Sequence, residues 1–266
     1  MNNKLTLSSI RDMKAKGERI ACLTAYDAGF AQILDEAGVD IMLVGDSLGM
    51  VVQGKESTLP VTVDEMVYHS RCVSAGNRRA FLLADMPFMS YPTPEQAVSN
   101  AGRLMKEGAA HGVKLEGGRE VVPVVTRLAQ AGIPVCAHLG LLPQSVNKYG
   151  GYRVQGRDPQ QAQAIIEDAK ALQDAGADIL VLECIPRSLT EQIMAVASIP
   201  VIGIGAGSSC DGQVLVLYDM LGITQHKLPR FVHNFLEDSD SIPDAISAYV
   251  NAVKQGTFPQ QEHGYD

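Results

Sequence analysis

LQDAGADILVLECI, residues 172–185, decides the fold. A helical stretch stops at Gly176, a short linker follows, and an apolar β-branched run ends on Glu183. Glycine just past a helix end suits the left-handed cap conformation. An unbroken apolar run suits a strand of a parallel sheet covered on both faces. The same layout recurs in LDEAGVDIMLVGDS (34–47), MKEGAAHGVKLEGG (105–118) and LAQAGIPVCAHLG (128–140). Further apolar runs are RIACLTAYD (19–27), AFLLADMPF (80–88), IPVIGIGAG (199–207) and, less clearly, QVLVLYDML (213–221).

Between these runs lie helix-start signals. Thr62–Glu65 and Ser188–Glu191 read as capping boxes, and Thr93-Pro94 places proline at a first helical position. Eight candidate strands alternating with helices over roughly 250 residues predict a single α/β domain, a (β/α)8 TIM barrel. A doubly wound open sheet is the alternative, but no GxGxxG opens a helix after the first strand. The barrel core is expected over about residues 20–223, where the rhythm stops. A C-terminal extension over 224–266 should hold a helix around 242–254 and the polar tail TFPQQEHGYD, packed outside the barrel or against another subunit.

The 266 residues are 46% hydrophobic and 20% charged, ample for one large core. A formal net charge of −8 disfavours nucleic acid and anionic membranes as partners. The five cysteines are scattered without a CxxC pair, and four lie in or beside apolar runs, which suits buried thiols in a reducing cytosol. The N-terminus has no apolar core of a signal peptide, and no apolar stretch approaches the ~20 residues of a membrane span. The expectation is a soluble cytoplasmic protein.

In such barrels chemistry gathers at the C-terminal ends of the strands. Those ends carry Asp46 with Ser47, Asp85, Lys114 with Glu116, His138, and Glu183. Each alone has an ordinary structural reading: an acid after a strand caps a helix or forms a turn, and Lys114 with Glu116 makes a salt bridge. Together, four carboxylates at one mouth would repel one another unless a cation lies between them. Hard oxygen ligands suit Mg²⁺, whereas the absence of His or Cys at ligand spacing argues against structural zinc. GIGAG (203–207) is either an anion cradle or a closely packed turn, and GGYRVQGR (150–157) is either a mobile active-site loop or a surface turn.

LVGDSLGMVVQG, TLPVT, LLADMPFMSY, VKLEGG, HLGLLPQSV, GGYRVQGR and PVIGIGAG, in this order and spacing, closely resemble the ketopantoate hydroxymethyltransferase family over nearly the whole chain. The resemblance implies hydroxymethyl transfer from 5,10-methylenetetrahydrofolate to 3-methyl-2-oxobutanoate, giving 2-dehydropantoate. That is the first committed step toward pantothenate, and it runs through a Mg²⁺-stabilised enolate. It implies one Mg²⁺ per subunit held by Asp46 and Asp85, with Glu116 completing or supporting the shell. It also implies Glu183 as general base, and Asp46, Ser47, Asp85 and Lys114 as keto-acid binders. His138 lies near the substrate without an assigned role, and the folate contacts are not indicated. Large homo-oligomers, often decamers, are the family habit. The alternative is a Mg²⁺-dependent lyase or mutase of the phosphoenolpyruvate/pyruvate superfamily acting on a 2-oxo acid.

Overall fold

Short strands buried on both faces can close on themselves only if helices cover the outside, and that is the arrangement found. The computed structural model describes residues 4–224 and 227–266. Its strands are β1 (Ile20–Thr24), β2 (Ile41–Val44), β3 (Phe81–Asp85), β4 (Gly112–Glu116), β5 (Val135–Gly140), β6 (Ile179–Glu183), β7 (Val201–Ile204) and β8 (Gly212–Leu215). All neighbouring pairs are parallel, in sequence order, and β8 pairs with β1 to close the barrel. The (β/α)8 expectation holds, and the weakly marked eighth run forms a strand like the others.

The local signals mostly act as expected. Gly38, Gly132 and Gly176 take left-handed φ of 87°, 76° and 103° just after their helices. In the 105–118 unit the left-handed residue is Ala109 (φ 59°), while Gly108 sits where a Cβ would lie 2.6 Å from the Leu104 carbonyl oxygen. Thr62 and Glu65 form the reciprocal capping box, and Thr93 caps the helix that begins at Pro94. The box expected at Ser188 does not form. That helix, Arg187–Met194, starts after Pro186 without a side-chain cap. Its entry is set instead by the tail: Pro186 pairs with Tyr265, and the Arg187 N–H donates to the Tyr265 carbonyl at 2.9 Å.

Two helices outside the repeat finish the barrel. Leu7–Lys16 lies under its N-terminal end, with Ile10 fully buried, Arg11 paired to Asp178 before β6, and Lys14 bridged to Asp211 before β8 at 2.8 Å. Ile242–Gln255, close to the expected span, packs over the β8–β1 seam of its own barrel. Its Tyr249 hydroxyl is shared between the carbonyls of Cys22 (2.8 Å) and Gln213 (2.9 Å). The tail folds back on the same chain: Asp266 pairs with Arg187, and the Arg157 Nε donates to the Asp266 carbonyl at 3.2 Å. Among the described residues no helix is long and apolar enough to cross a membrane. Cys22, Cys136, Cys184 and Cys210 are buried and unpaired.

Tyr249→Phe removes the one donor serving two buried strand carbonyls. Urea denaturation should show a loss of about 1–2 kcal/mol, with the m-value unchanged.

Candidate active site

Strand pairing brings the polar residues together before any side chain chooses a partner. The β3–β4 register sets Asp85 beside Lys114, and the β4–β5 register sets Glu116 beside His138. Side chains alternate along a strand, so Lys114 and Glu116 point to one side, as their spacing predicts. The ammonium, however, pairs across strands. Lys114 Nζ donates to Asp85 Oδ1 at 2.6 Å, with both residues nearly inaccessible (5% and 3% exposed). The other oxygen of Asp85 accepts from the Asp46 backbone N–H at 3.0 Å. Lys114 and Glu116 are therefore members of one cluster rather than partners in a private salt bridge.

The cluster is short of positive charge. Burial, then the Asp85 and Glu116 carboxylates, push Asp46 well above the usual carboxylate range, against the pull of Lys114 and a hydrogen bond from Gln144. Burial alone would lower Lys114, but Asp85, Glu116 and Asp46 outweigh it and raise the ammonium above its ordinary value. His138 lies between two acids, Nδ1 at 3.6 Å from Glu116 and Nε2 at 3.2 Å from Glu183. Neither contact is a well-aligned hydrogen bond, so the attraction is electrostatic. Burial and Lys114 depress the imidazole, but the two carboxylates prevail and raise it to about 8. Glu183 is the most open of the strand-end acids, its side chain 15% exposed against 4% or less for Asp85 and Glu116. Ser47 bonds the Tyr26 hydroxyl at 2.9 Å.

All seven strand-end residues named from the sequence thus meet at one mouth. Three contributors were missed. Gln144, just after β5, sends its side-chain amide to Asp46 and its backbone N–H to Glu116. Tyr91 bonds Gln144 and the Glu116 backbone. Tyr152, from GGYRVQGR, reaches the sulfur of Met50 in the segment after β2 at 3.6 Å. A polar glutamine inside the apolar run HLGLLPQSV was the available signal; the tyrosines carried none. A cavity of about 270 Å³ opens beside Glu116 and Gln144, walled by Phe88, Met89, Tyr91 and Leu142.

GIGAG is a closely packed turn. A Cβ on Gly205 would meet Phe231 at 2.8 Å, and one on Gly207 would meet Arg187 at 2.7 Å.

Among the described residues no three His, Cys, Asp and Glu side chains form a ready cage for a metal ion. The donor set still fits Mg²⁺, which takes few protein carboxylates and keeps sites for water and substrate oxygens. Asp46, buried and raised by its neighbours, is the group a divalent cation would relieve.

Fold and site together define an acid-rimmed (β/α)8-barrel enzyme. Residues 4–261 match the family model described as ketopantoate hydroxymethyltransferase, and the chain belongs to that family. It is similar to the 3-methyl-2-oxobutanoate hydroxymethyltransferases of Nitrosococcus oceani (61% identity, covering 98% of this chain and 99% of the relative) and Marinobacter nauticus (58%, 98% and 98%). Among solved structures it shares its fold with 2,3-dimethylmalate lyase, a PEP mutase/isocitrate lyase superfamily member (TM-score 0.59, 18% identity, 82% and 83% of the two chains). Phosphonopyruvate hydrolase, solved with oxalate and Mg²⁺, has the same fold (TM-score 0.61, 12% identity, 80% and 81%).

A carboxylate whose folded pKa is raised contributes stability only while protonated, and that contribution is lost as pH rises through the raised value. Without a divalent cation the protein should therefore lose stability as pH rises beyond the ordinary carboxylate range and through the raised Asp46 value, and Mg²⁺ should offset the loss. The expected result is a Mg²⁺-induced rise in Tm that is larger at the higher pH and disappears in Asp46→Asn.

Proposed function

We propose that the enzyme transfers a hydroxymethyl group from 5,10-methylenetetrahydrofolate to 3-methyl-2-oxobutanoate, giving 2-dehydropantoate on the route to pantothenate. The observation that carries this reading is the single mouth joining a buried acid cluster, its one ammonium, and a more open carboxylate on a separate strand. Relatives of 58–61% identity over nearly the full length bear the matching name. They favour this reaction over the lyase or mutase alternative, whose support is fold alone.

Asp46 and Asp85 would hold Mg²⁺, with Glu116 supporting them from its contacts to Gln144 and His138. Mg²⁺ held there would supply Lewis-acid stabilisation of the enolate. Lys114 has three donors and gives one to Asp85, so the others are free for the substrate carboxylate. Ser47 adds a hydroxyl beside Tyr26. Glu183 takes the C3 proton, and C3 then attacks the folate's methylene carbon. That carbon carries no oxygen, so water supplies the hydroxyl of the product; both of its C–N bonds to the folate break, and the C3 proton and the remaining proton of water pass to the two folate nitrogens, releasing tetrahydrofolate. His138 holds Glu183 on one side and Glu116 on the other, a positioning role.

The whole chain is read as one catalytic unit, with residues 224–266 as an extension of the barrel. The enzyme is read as a large homo-oligomer, a decamer by the family habit. Free buried cysteines support a cytoplasmic location.

In D₂O with Mg²⁺ and 3-methyl-2-oxobutanoate but no folate, the C3 proton should exchange. Glu183→Gln should slow exchange by roughly 10²–10⁴-fold. Unchanged exchange in that variant would remove Glu183 as the base, and absent turnover with methylenetetrahydrofolate would remove the reaction itself.

A further inference from the structure

We propose that Gln144 is a positioning residue for the carboxylates at this mouth, with Tyr91 as its orienting partner. The inference rests on the reading of Asp46 as a metal ligand. Gln144 is 6% exposed, and every polar atom of its side chain is used. Nε2 donates to Asp46 Oδ2 at 2.8 Å and to the Met86 carbonyl at 3.0 Å, while Oε1 accepts from the Tyr91 hydroxyl at 2.5 Å. Its backbone N–H donates to Glu116 Oε2 at 3.0 Å. One residue after β5 therefore ties down groups at the ends of β2, β3 and β4.

The partners dictate which way the amide faces. Turned over, Oε1 would oppose the Asp46 carboxylate and the Met86 carbonyl, two acceptors, and the amide would present its NH₂ to Tyr91. Tyr91 is pinned in turn by the Glu116 backbone N–H, which donates to its hydroxyl at 3.3 Å. The result is an Asp46 side chain fixed by one oxygen, leaving Oδ1 to face a cation. Gln144 is neutral, so it orients the carboxylate without neutralising it. A second ammonium here would compete with the cation. Groups of this kind, bonded to a metal ligand without touching the metal, typically change metal affinity by 10–100-fold when removed.

The test is Mn²⁺ affinity, read by electron paramagnetic resonance of the free ion without keto acid, in four proteins: the parent, Gln144→Met, Tyr91→Phe and Asp46→Asn. Methionine keeps the volume and the backbone bond to Glu116 while deleting the amide. Gln144→Met should weaken Mn²⁺ binding about 10–100-fold, and Tyr91→Phe should weaken it in the same direction by less. A merely structural role would lower Tm and leave the dissociation constant of the folded protein alone. Affinity within twofold of the parent in Gln144→Met, with binding lost in Asp46→Asn, overturns the role of Gln144. Unchanged affinity in Asp46→Asn overturns the ligand reading instead. If Gln144→Met does not fold, Tyr91→Phe decides, since it removes a single hydroxyl.

Discussion

The bond between Lys114 and Asp85 is the constraint around which the site is built. Three carboxylates stand nearly out of water at the ends of β2, β3 and β4, and one ammonium stands among them. Removing one partner of such a buried pair typically costs about 3–5 kcal/mol, because the charge left behind can neither hydrate nor pair. The pair is a poor device for stability alone, since apolar side chains of similar volume would hold a barrel as well. It leaves the cluster with more carboxylates than ammonium groups, so the mouth stays short of positive charge.

Everything nearby follows from keeping that cluster ordered. The barrel register supplies the cross-strand neighbours, and Gln144 with Tyr91 supplies donors that carry no charge. Glu183 is held apart, one strand beyond His138, where it is more open to solvent. A base inside the cluster would share its repulsion. In the proposed reaction a base on a separate strand can meet the substrate from another direction. The tail reinforces this side of the mouth through Tyr265 and Asp266, which fasten the segment following Glu183. Cys184, next in sequence, sits at a left-handed φ of 48°, a conformation non-glycine residues adopt only when their surroundings hold them there.

Much of this was legible in the sequence, and the exceptions share a cause. Helix-stop glycines, apolar runs and the polar residue closing each run depend on local spacing, so the eight strands and all seven mouth residues could be read directly. The Lys114 partner could not, because alternation within a strand says which face a side chain takes and nothing about its neighbour on the next strand. Ser188 carried a sound capping signature, yet Tyr265, far along the chain, set where that helix begins. Gln144 looked like one polar residue in an apolar loop until the loop was folded over Asp46.

The sequence by itself determined the barrel, the end of it that carries chemistry, and the family, because these rest on periodicity and on motifs in fixed order. Only the tertiary structure decided that Lys114 answers Asp85, that Gln144 and Tyr91 brace the acids, and that the 242–255 helix and the tail close on their own barrel. Those are contacts between residues distant in sequence. Their partners are chosen by register, burial and the need to satisfy every polar group taken out of water, and none of these has a local signature.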